Sequence, residues 1–261
     1  MVMFDPSKFT TPKAKPLPVF LLLDVSGSMN EVVDPENVRR TGQTFENDGQ
    51  TWESVEGGTS KIQILNDAVR RMVDSLAAEE RMATEFLVSI ITFGDRVVQH
   101  LAPGVASSVN WTDMEADGCT AMGASFSLAK RLIEDKDVIP SRAYRPTVVL
   151  VSDGQPTDDW EHPLDALITG GRSAKCFFMA MGIGENPGTQ VLERFISQTP
   201  VLAEVNGSPV RNTVFHATDA DKIHAFFRKV TMSVTIRSKS QNPNAVPTSV
   251  KPNLEEEGGY W

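Results

Sequence analysis

Residues 19–23 read Val-Phe-Leu-Leu-Leu without a polar break. The run is too short for a helix and too uniformly apolar for a strand with one wet face, so it predicts a strand buried on both sides, as in the middle of a parallel sheet covered by helices. Similar runs follow at residues 86–93, 147–151 and 176–181. Between and after them, apolar residues recur three or four apart at residues 60–79, 121–135, 187–198 and 219–232, the spacing of a helix with one buried face. This alternation predicts an α/β fold with a doubly wound, mostly parallel sheet. Residues 97–101 come only a Gly94-Asp95-Arg96 turn after Phe93, too soon for a crossover helix. They are expected to pair antiparallel with the preceding strand at the sheet edge. Ser60 ahead of Ile62, Ile64 and Leu65, and Thr218-Asp219 ahead of the last pattern, are helix-start signals. There is no internal repeat.

A chain of 261 residues fits one large domain or two small ones. The apolar runs recur evenly as far as Val234, which favours one domain over residues 16–236, with an N-terminal lead at 1–15 and a C-terminal tail at 237–261. The net charge of -9, with scattered basic residues, argues against a nucleic-acid binder that neutralises phosphates. Cys119 and Cys176 are too few for a zinc cluster or a disulfide framework, and a reducing cytoplasm is the simplest reading. Residues 1–16 are polar with several prolines, unlike a secretory signal, and no run approaches the roughly 20 apolar residues of a membrane helix. A soluble cytoplasmic protein is expected.

Function concentrates at the ends of the predicted strands. Asp24-Val25-Ser26-Gly27-Ser28 directly follows the first run, and Ser152-Asp153-Gly154 ends the run at residues 147–151. Gly118-Cys119-Thr120 leads into a predicted helix. Open α/β sheets bind ligands at the carboxyl ends of their strands. Each motif alone has an ordinary structural explanation, since Asp, Ser and Thr cap helices and Asp-Gly closes turns. Together they supply two carboxylates, from Asp24 and Asp153, and three hydroxyls, from Ser26, Ser28 and Thr120. These are hard oxygen donors suited to Mg²⁺, with Mn²⁺ or Ca²⁺ as alternatives. If the two strands are neighbours, the carboxylates repel each other, and a divalent cation removes that conflict. Three neutral donors leave the ion with residual positive charge, and Mg²⁺ usually retains water, so the site is expected to keep an exchangeable position for a carboxylate from another molecule.

The Asp-x-Ser-x-Ser, Thr and Ser-Asp-Gly pattern resembles the metal-ion-dependent adhesion site of von Willebrand factor A domains, over roughly residues 16–234. That resemblance implies a Rossmann-like fold in which Ser26, Ser28 and Thr120 coordinate the ion, and Asp24 and Asp153 bind it directly or through water. Residues 17–29, Thr120-Ala121-Met122-Gly123 and residues 153–160 look like the bacterial TerY branch, named for tellurite resistance. The branch implies a non-enzymatic adaptor in a cytoplasmic stress response that works beside a PP2C-type phosphatase and a protein kinase. Its protein ligand is expected to supply an Asp or Glu carboxylate to the metal. No nucleic acid or membrane partner is expected.

The chain departs from that pattern at residues 30–59, an insertion between the first motif and its helix that carries seven acids against two bases. Thr44-Phe45-Glu46 and Gln50-Thr51-Trp52 flank Asn47-Asp48-Gly49 there, which reads as a hairpin. The insertion is expected to project from the same end of the sheet as the metal motif. Hydroxyls in or beside it, from Thr41, Thr44, Thr51, Ser54, Thr59 and Ser60, offer phosphorylation sites, a scaffold reading that coexists with metal binding. An enzymatic alternative is a phosphatase of haloacid-dehalogenase type in which Asp24 attacks phosphorus and Asp153 holds Mg²⁺. Such enzymes use a second acid two residues after the nucleophile, and this chain has Ser26 there.

Gly182-Ile183-Gly184-Glu185-Asn186-Pro187-Gly188 misses the dinucleotide-binding GxGxxG spacing and reads as a structural turn, with Pro187 at a helix start. No Walker loop is present. Asp158, Asp159 and Trp160 either rim the metal loop or begin a solvated helix. His100, His162, His216 and His224 show no nucleophile spacing, and Cys119 is either a packed loop residue or, if exposed, open to oxidation. The tail from Ser238, with its Glu255-Glu256-Glu257 run and terminal Tyr260-Trp261, reads as a linker or docking peptide.

Overall fold

A computed structural model of the chain describes residues 14–33, 38–47, 49–80, 84–184, 187–198, 203–205, 208–210 and 213–244. The lead before residue 14, the tail beyond residue 244, Asp48 of the hairpin turn and Glu185-Asn186 therefore lie outside the described residues.

The first apolar run is the centre of strand β1 (Lys15–Asp24), and alternation along it explains the layers. Leu17, Val19, Leu21 and Leu23 face one core, while Phe20 and Leu22 face another, and all six have no exposed surface. Burying each such side chain contributes about 2 kcal/mol, so β1 is locked into the sheet from both faces. It pairs parallel with β4 (Thr84–Phe93) on one side and with β6 (Thr147–Ser152) on the other. Beyond β6 come β7 (Phe177–Ile183) and the short β10 (Phe215–Ala217), also parallel. Strand β5 (Val97–Val105) pairs antiparallel with β4 and closes the other edge, as the three-residue turn requires. The six-stranded order is β10-β7-β6-β1-β4-β5.

Helices α1 (Lys61–Glu79) and α5 (Ala220–Lys239) cover the face of Leu21 and Leu23. Helices α2 (Met122–Glu134), α3 (Glu161–Thr169) and α4 (Thr189–Ile196) cover the face of Phe20 and Leu22. Ser60 is the N-cap of α1 in a reciprocal capping box with Gln63, and Asp219 caps α5 through the Lys222 N–H at 2.9 Å.

Several elements differ from the sequence reading, among them β5, which runs to Val105 rather than residue 101. Helix α4 starts at Thr189 rather than residue 187, because Gly188 takes a left-handed conformation (φ +65°) that places it outside the helix. Helix α5 runs on to Lys239 rather than residue 232, because Val234 and Arg237 continue its buried face. Two three-residue strands, β8 (Ala203–Val205) and β9 (Ser208–Val210), form a small antiparallel pair that the sequence pattern does not announce.

The insertion holds the expected hairpin, longer than its turn signal suggests. Strands β2 (Val38–Asn47) and β3 (Gln50–Gly57) pair antiparallel, with Asn47 opposite Gln50 and Gly49 at φ +73° in the connection. Its neck is closed where Val32 bridges Ser60 and the Val33 N–H donates to the Thr59 carbonyl at 2.9 Å. The hairpin thus branches off between the carboxyl end of β1 and the start of α1. Among the described residues, no helix is long and apolar enough to cross a membrane.

Candidate functional site

Parallel pairing sets the geometry of the site. Leu23 stands opposite Val151 in register, so the next residues, Asp24 and Ser152, emerge side by side at the carboxyl ends of β1 and β6. The Ser152 hydroxyl donates to Asp24 Oδ2 at 2.5 Å, and the Ser26 N–H donates to Asp24 Oδ1 at 2.9 Å. Asp24 has no exposed surface. Burial, and then the negative charge of Asp153, push its carboxyl from 3.8 up to about 7 against the pull of these hydrogen bonds.

The chain after β1 is fixed by neighbouring loops. The Val25 N–H donates to the Phe93 carbonyl at 2.9 Å and the Gly27 N–H to the Gly118 carbonyl at 2.8 Å, before a single 3₁₀ turn at Gly27–Asn30. Ser28 then donates its hydroxyl hydrogen to Asp153 Oδ1 at 2.8 Å. The Ser26 and Ser28 oxygens are 3.1 Å apart, and because a hydroxyl has one hydrogen, Ser26 is the donor of that pair. Ser28 is left with lone-pair capacity and no spare hydrogen, the state a cation ligand needs.

Thr120 is buried in the loop before α2, and that loop is tied to both strand ends. The Asp117 N–H donates to the Val25 carbonyl at 2.8 Å, the Thr120 N–H donates to the Thr157 hydroxyl at 3.1 Å, and the Thr157 N–H donates to the Thr120 carbonyl at 3.0 Å. Gly118 turns this loop at φ +76°, where a Cβ would lie 2.1 Å from Asp95 Oδ1. The structure thus links Asp24, Ser26, Ser28 and Asp153 by direct hydrogen bonds and brings the Thr120 loop against them. Among the described residues no three His, Cys, Asp or Glu side chains gather as a metal cluster. The donor set of two carboxylates and hydroxyls nevertheless fits a hard divalent cation. Burial and the Asp153 charge hold Asp24 toward its neutral form, and a divalent cation beside it would favour the ionised form instead.

One residue at this site went unnoticed in the sequence. Lys61, the first residue of α1, places Nζ 2.9 Å from Asp153 Oδ2 and 2.5 Å from Glu31 Oε2. Its side chain is 11 % exposed and that of Asp153 is fully buried, so this is an interior ion pair with one outer carboxylate. Burial works against the Lys61 charge, but Asp153 and Glu31 outweigh it and raise its pKa above the ordinary value. A lysine at a helix start looks like a solvated end, and its partners lie 30 and 92 residues away in the chain.

The remaining candidates have structural roles. Asp158 accepts the Gly123 and Ala124 N–H groups, each at 2.9 Å, so it caps α2 rather than rimming the metal loop. A Cβ on Gly188 would lie 2.4 Å from the Gly154 carbonyl, so the glycine-rich turn packs its backbone against the Ser-Asp-Gly loop. His100 bonds the Thr112 carbonyl at 2.9 Å, and His162 and His224 lie beside Asp159 and Asp67. Asp24, buried with both oxygens engaged, is not presented as a nucleophile to an external phosphorus.

A six-stranded, mostly parallel sheet with helices on both faces, an Asp-x-Ser-x-Ser turn after its central strand and a Ser-Asp-Gly turn beside it define a von Willebrand factor A-type domain. The chain belongs to this family: the von Willebrand factor type A domain model matches residues 19–155, just over half of its length. Relatives use the domain as a metal-binding, protein-interaction module. The fold is shared with a von Willebrand factor type A protein from Catenulispora acidiphila (TM-score 0.53, 19 % identity, 84 % of this chain and 43 % of that one). It is shared also with the PilB minor pilin of Streptococcus sanguinis as its D319A mutant (0.52, 13 %, 88 % and 63 %). Proximal thread matrix protein 1 from the mussel byssus, solved with a zinc-occupied MIDAS motif, is similar too (0.51, 17 %, 88 % and 47 %). The chain spans less than half the length of the first and last of these. The comparison with curated proteins found no match.

Proposed function

We propose that the chain is a cation-dependent protein-binding module that serves as an adaptor in a bacterial cytoplasmic stress-response pathway, beside a PP2C-type phosphatase and a protein kinase. The observation that carries the binding role is the direction of the hydroxyl hydrogens. Ser28 gives its hydrogen to Asp153 and Ser152 gives its own to Asp24, so the carboxylates orient the hydroxyls. The groups that would hold Mg²⁺ are Ser26, Ser28 and Thr120, with Asp24 and Asp153 as direct or water-mediated partners; Mn²⁺ and Ca²⁺ suit the same donors. A cation bound there offers a Lewis-acidic position to a carboxylate of the partner protein. The zinc-occupied MIDAS of the mussel relative supports the metal, and the TerY-like stretches at residues 17–29, 120–123 and 153–160 support the pathway.

Calorimetric titration with Mg²⁺ and Mn²⁺ tests the site: wild type binds one ion and Asp24→Ala binds none, whereas equal binding by both removes the assignment. The adaptor role is tested by pull-down with a PP2C-type phosphatase and a protein kinase from the same organism. Capture that EDTA abolishes supports it, and capture indifferent to EDTA places the partner on another face.

A further inference from the structure

We propose that Lys61 is a tethered counter-ion of the cation site, which weakens binding of the divalent ion and keeps the cation-free site folded. The inference deepens the reading above and rests on it.

The two carboxylates of the site are served unequally. Asp24 receives only neutral donors, the Ser26 N–H and the Ser152 hydroxyl. Asp153 receives the Ser28 hydroxyl on Oδ1 and the Lys61 ammonium on Oδ2. Both Asp153 oxygens are therefore engaged, and its charge is matched inside the protein before any ion arrives. A divalent cation held by Ser26 and Ser28 meets a fixed positive charge close behind Asp153, and it competes with Nζ for that carboxylate. Both effects act in a poorly solvated setting, where charges interact more strongly than in water.

The placement of Lys61 is built rather than incidental. A basic side chain in the first turn of a helix opposes the helix dipole, and α1 carries no acid there to offset it. Two contacts from one residue hold it in place: the Glu31 carbonyl accepts the Lys61 N–H at 3.0 Å, and the Glu31 carboxylate accepts Nζ. Glu31 closes the 3₁₀ turn that carries Ser28, with its own N–H on the Ser28 carbonyl at 3.0 Å. The turn that presents the hydroxyls and the ammonium that neutralises Asp153 are thus one mechanical unit. Glu31 is half-exposed, so solvent screens it and it does not cancel Lys61 toward the interior.

The test is calorimetric titration of the full chain with MnCl₂, paired with thermal melts in EDTA and in excess Mn²⁺. Lys61→Met is expected to bind Mn²⁺ about tenfold more tightly than wild type, and Lys61→Arg to bind like wild type. Lys61→Gln, neutral but still able to donate to Asp153, serves where the Met variant fails to fold, and is expected to tighten binding as well. In EDTA the neutral variants melt below wild type, and Mn²⁺ closes that gap, which a merely structural lysine does not produce. If wild type binds Mn²⁺ and the neutral variants bind equally or more weakly, the counter-ion role is overturned while the cation site stands. If neither wild type nor the neutral variants bind Mn²⁺, the cation reading itself fails and takes this inference with it.

Discussion

Ser152 and Asp24 meet at the carboxyl ends of adjacent parallel strands, hydroxyl to carboxylate at 2.5 Å, although 128 residues separate them in sequence. The contact follows from strand register alone, because Leu23 and Val151 are paired one residue earlier. Asp24 is consequently a buried acid with neutral partners, whereas Asp153 beside it has an ammonium. Much of the behaviour expected of the protein in solution follows from that asymmetry.

The first expectation concerns pH. In the cation-free folded protein Asp24 keeps its proton to about 7, against an ordinary 3.8 in the unfolded chain. Between these values the folded state binds more protons than the unfolded one, so stability falls as pH rises through roughly 4 to 7 and this contribution is fully present only below that window. The loss is on the order of 4 kcal/mol. Other acids, such as Glu134 with its lowered pKa, change stability in the opposite direction, so the difference between wild type and Asp24→Asn isolates the effect. Denaturation in EDTA at pH 5 and pH 8 should show wild type losing stability relative to Asp24→Asn, and no such relative loss would contradict the burial argument.

Asp158 provides the second. Helix α2 has Ala121 at its N-cap position, which offers no side-chain acceptor, and Asp158 fills that role from the loop after β6. Asp158→Ala should cost about 1–2 kcal/mol in urea denaturation with the slope unchanged, and Asp158→Asn should recover much of it. Since α2 directly follows Thr120, the Ala variant is also expected to speed amide exchange in residues 118–124.

Gly123, in the same turn, gives a prediction of sign. Replacing a helical glycine with alanine usually stabilises by about 1 kcal/mol. Here the new Cβ would lie 2.0 Å from the Asp159 carbonyl oxygen and 2.8 Å from Trp160 Cα, both backbone atoms that cannot swing aside. Gly123→Ala should instead destabilise by about 1–3 kcal/mol. Combined with Asp158→Ala, the effects should fall short of additive in a double-mutant cycle, because either change disrupts the same contact.

These residues also mark how far the sequence alone can be read. The sheet was legible because β1, β4, β6 and β7 are buried on both faces and so are written as apolar runs, and the antiparallel edge was legible because a three-residue turn permits nothing else. The positions of Asp24, Ser26, Ser28, Thr120 and Asp153 at strand ends and in the loop before α2 followed from the same runs. Lys61 did not, since its meaning depends on tertiary partners and no local pattern separates it from a solvated lysine. Asp158 was ambiguous for the same reason: an acid near a helix start signals a cap, but here the helix it caps is α2, which precedes it in the chain. Strands of three residues, such as β10, carry too few side chains for a period to emerge.

The last prediction concerns Arg237, which lies on α5 beyond the point where its apolar pattern fades. It is 1 % exposed, and among the described residues no carboxylate pairs with it. Three acceptors surround the guanidinium: the Thr147 hydroxyl at 2.6 Å, the Arg145 carbonyl at 2.6 Å and the Pro243 carbonyl at 3.0 Å. The Phe177 ring lies beneath it, with its centroid 3.9 Å from Cζ. Burial pushes its pKa down to about 9, still charged at neutral pH. The fork thus fastens the end of α5 to the starts of β6 and β7, at the amino end of these strands, opposite the cation site. Arg237→Ala should cost about 3–5 kcal/mol, since it leaves buried acceptors unpaired and a void over Phe177. Arg237→Lys should recover only part of that, because one ammonium on a flexible stem does not reproduce the planar fork. Chemical denaturation gives the stabilities, and cation titration of Arg237→Lys should match wild type, since the residue serves the fold rather than the site.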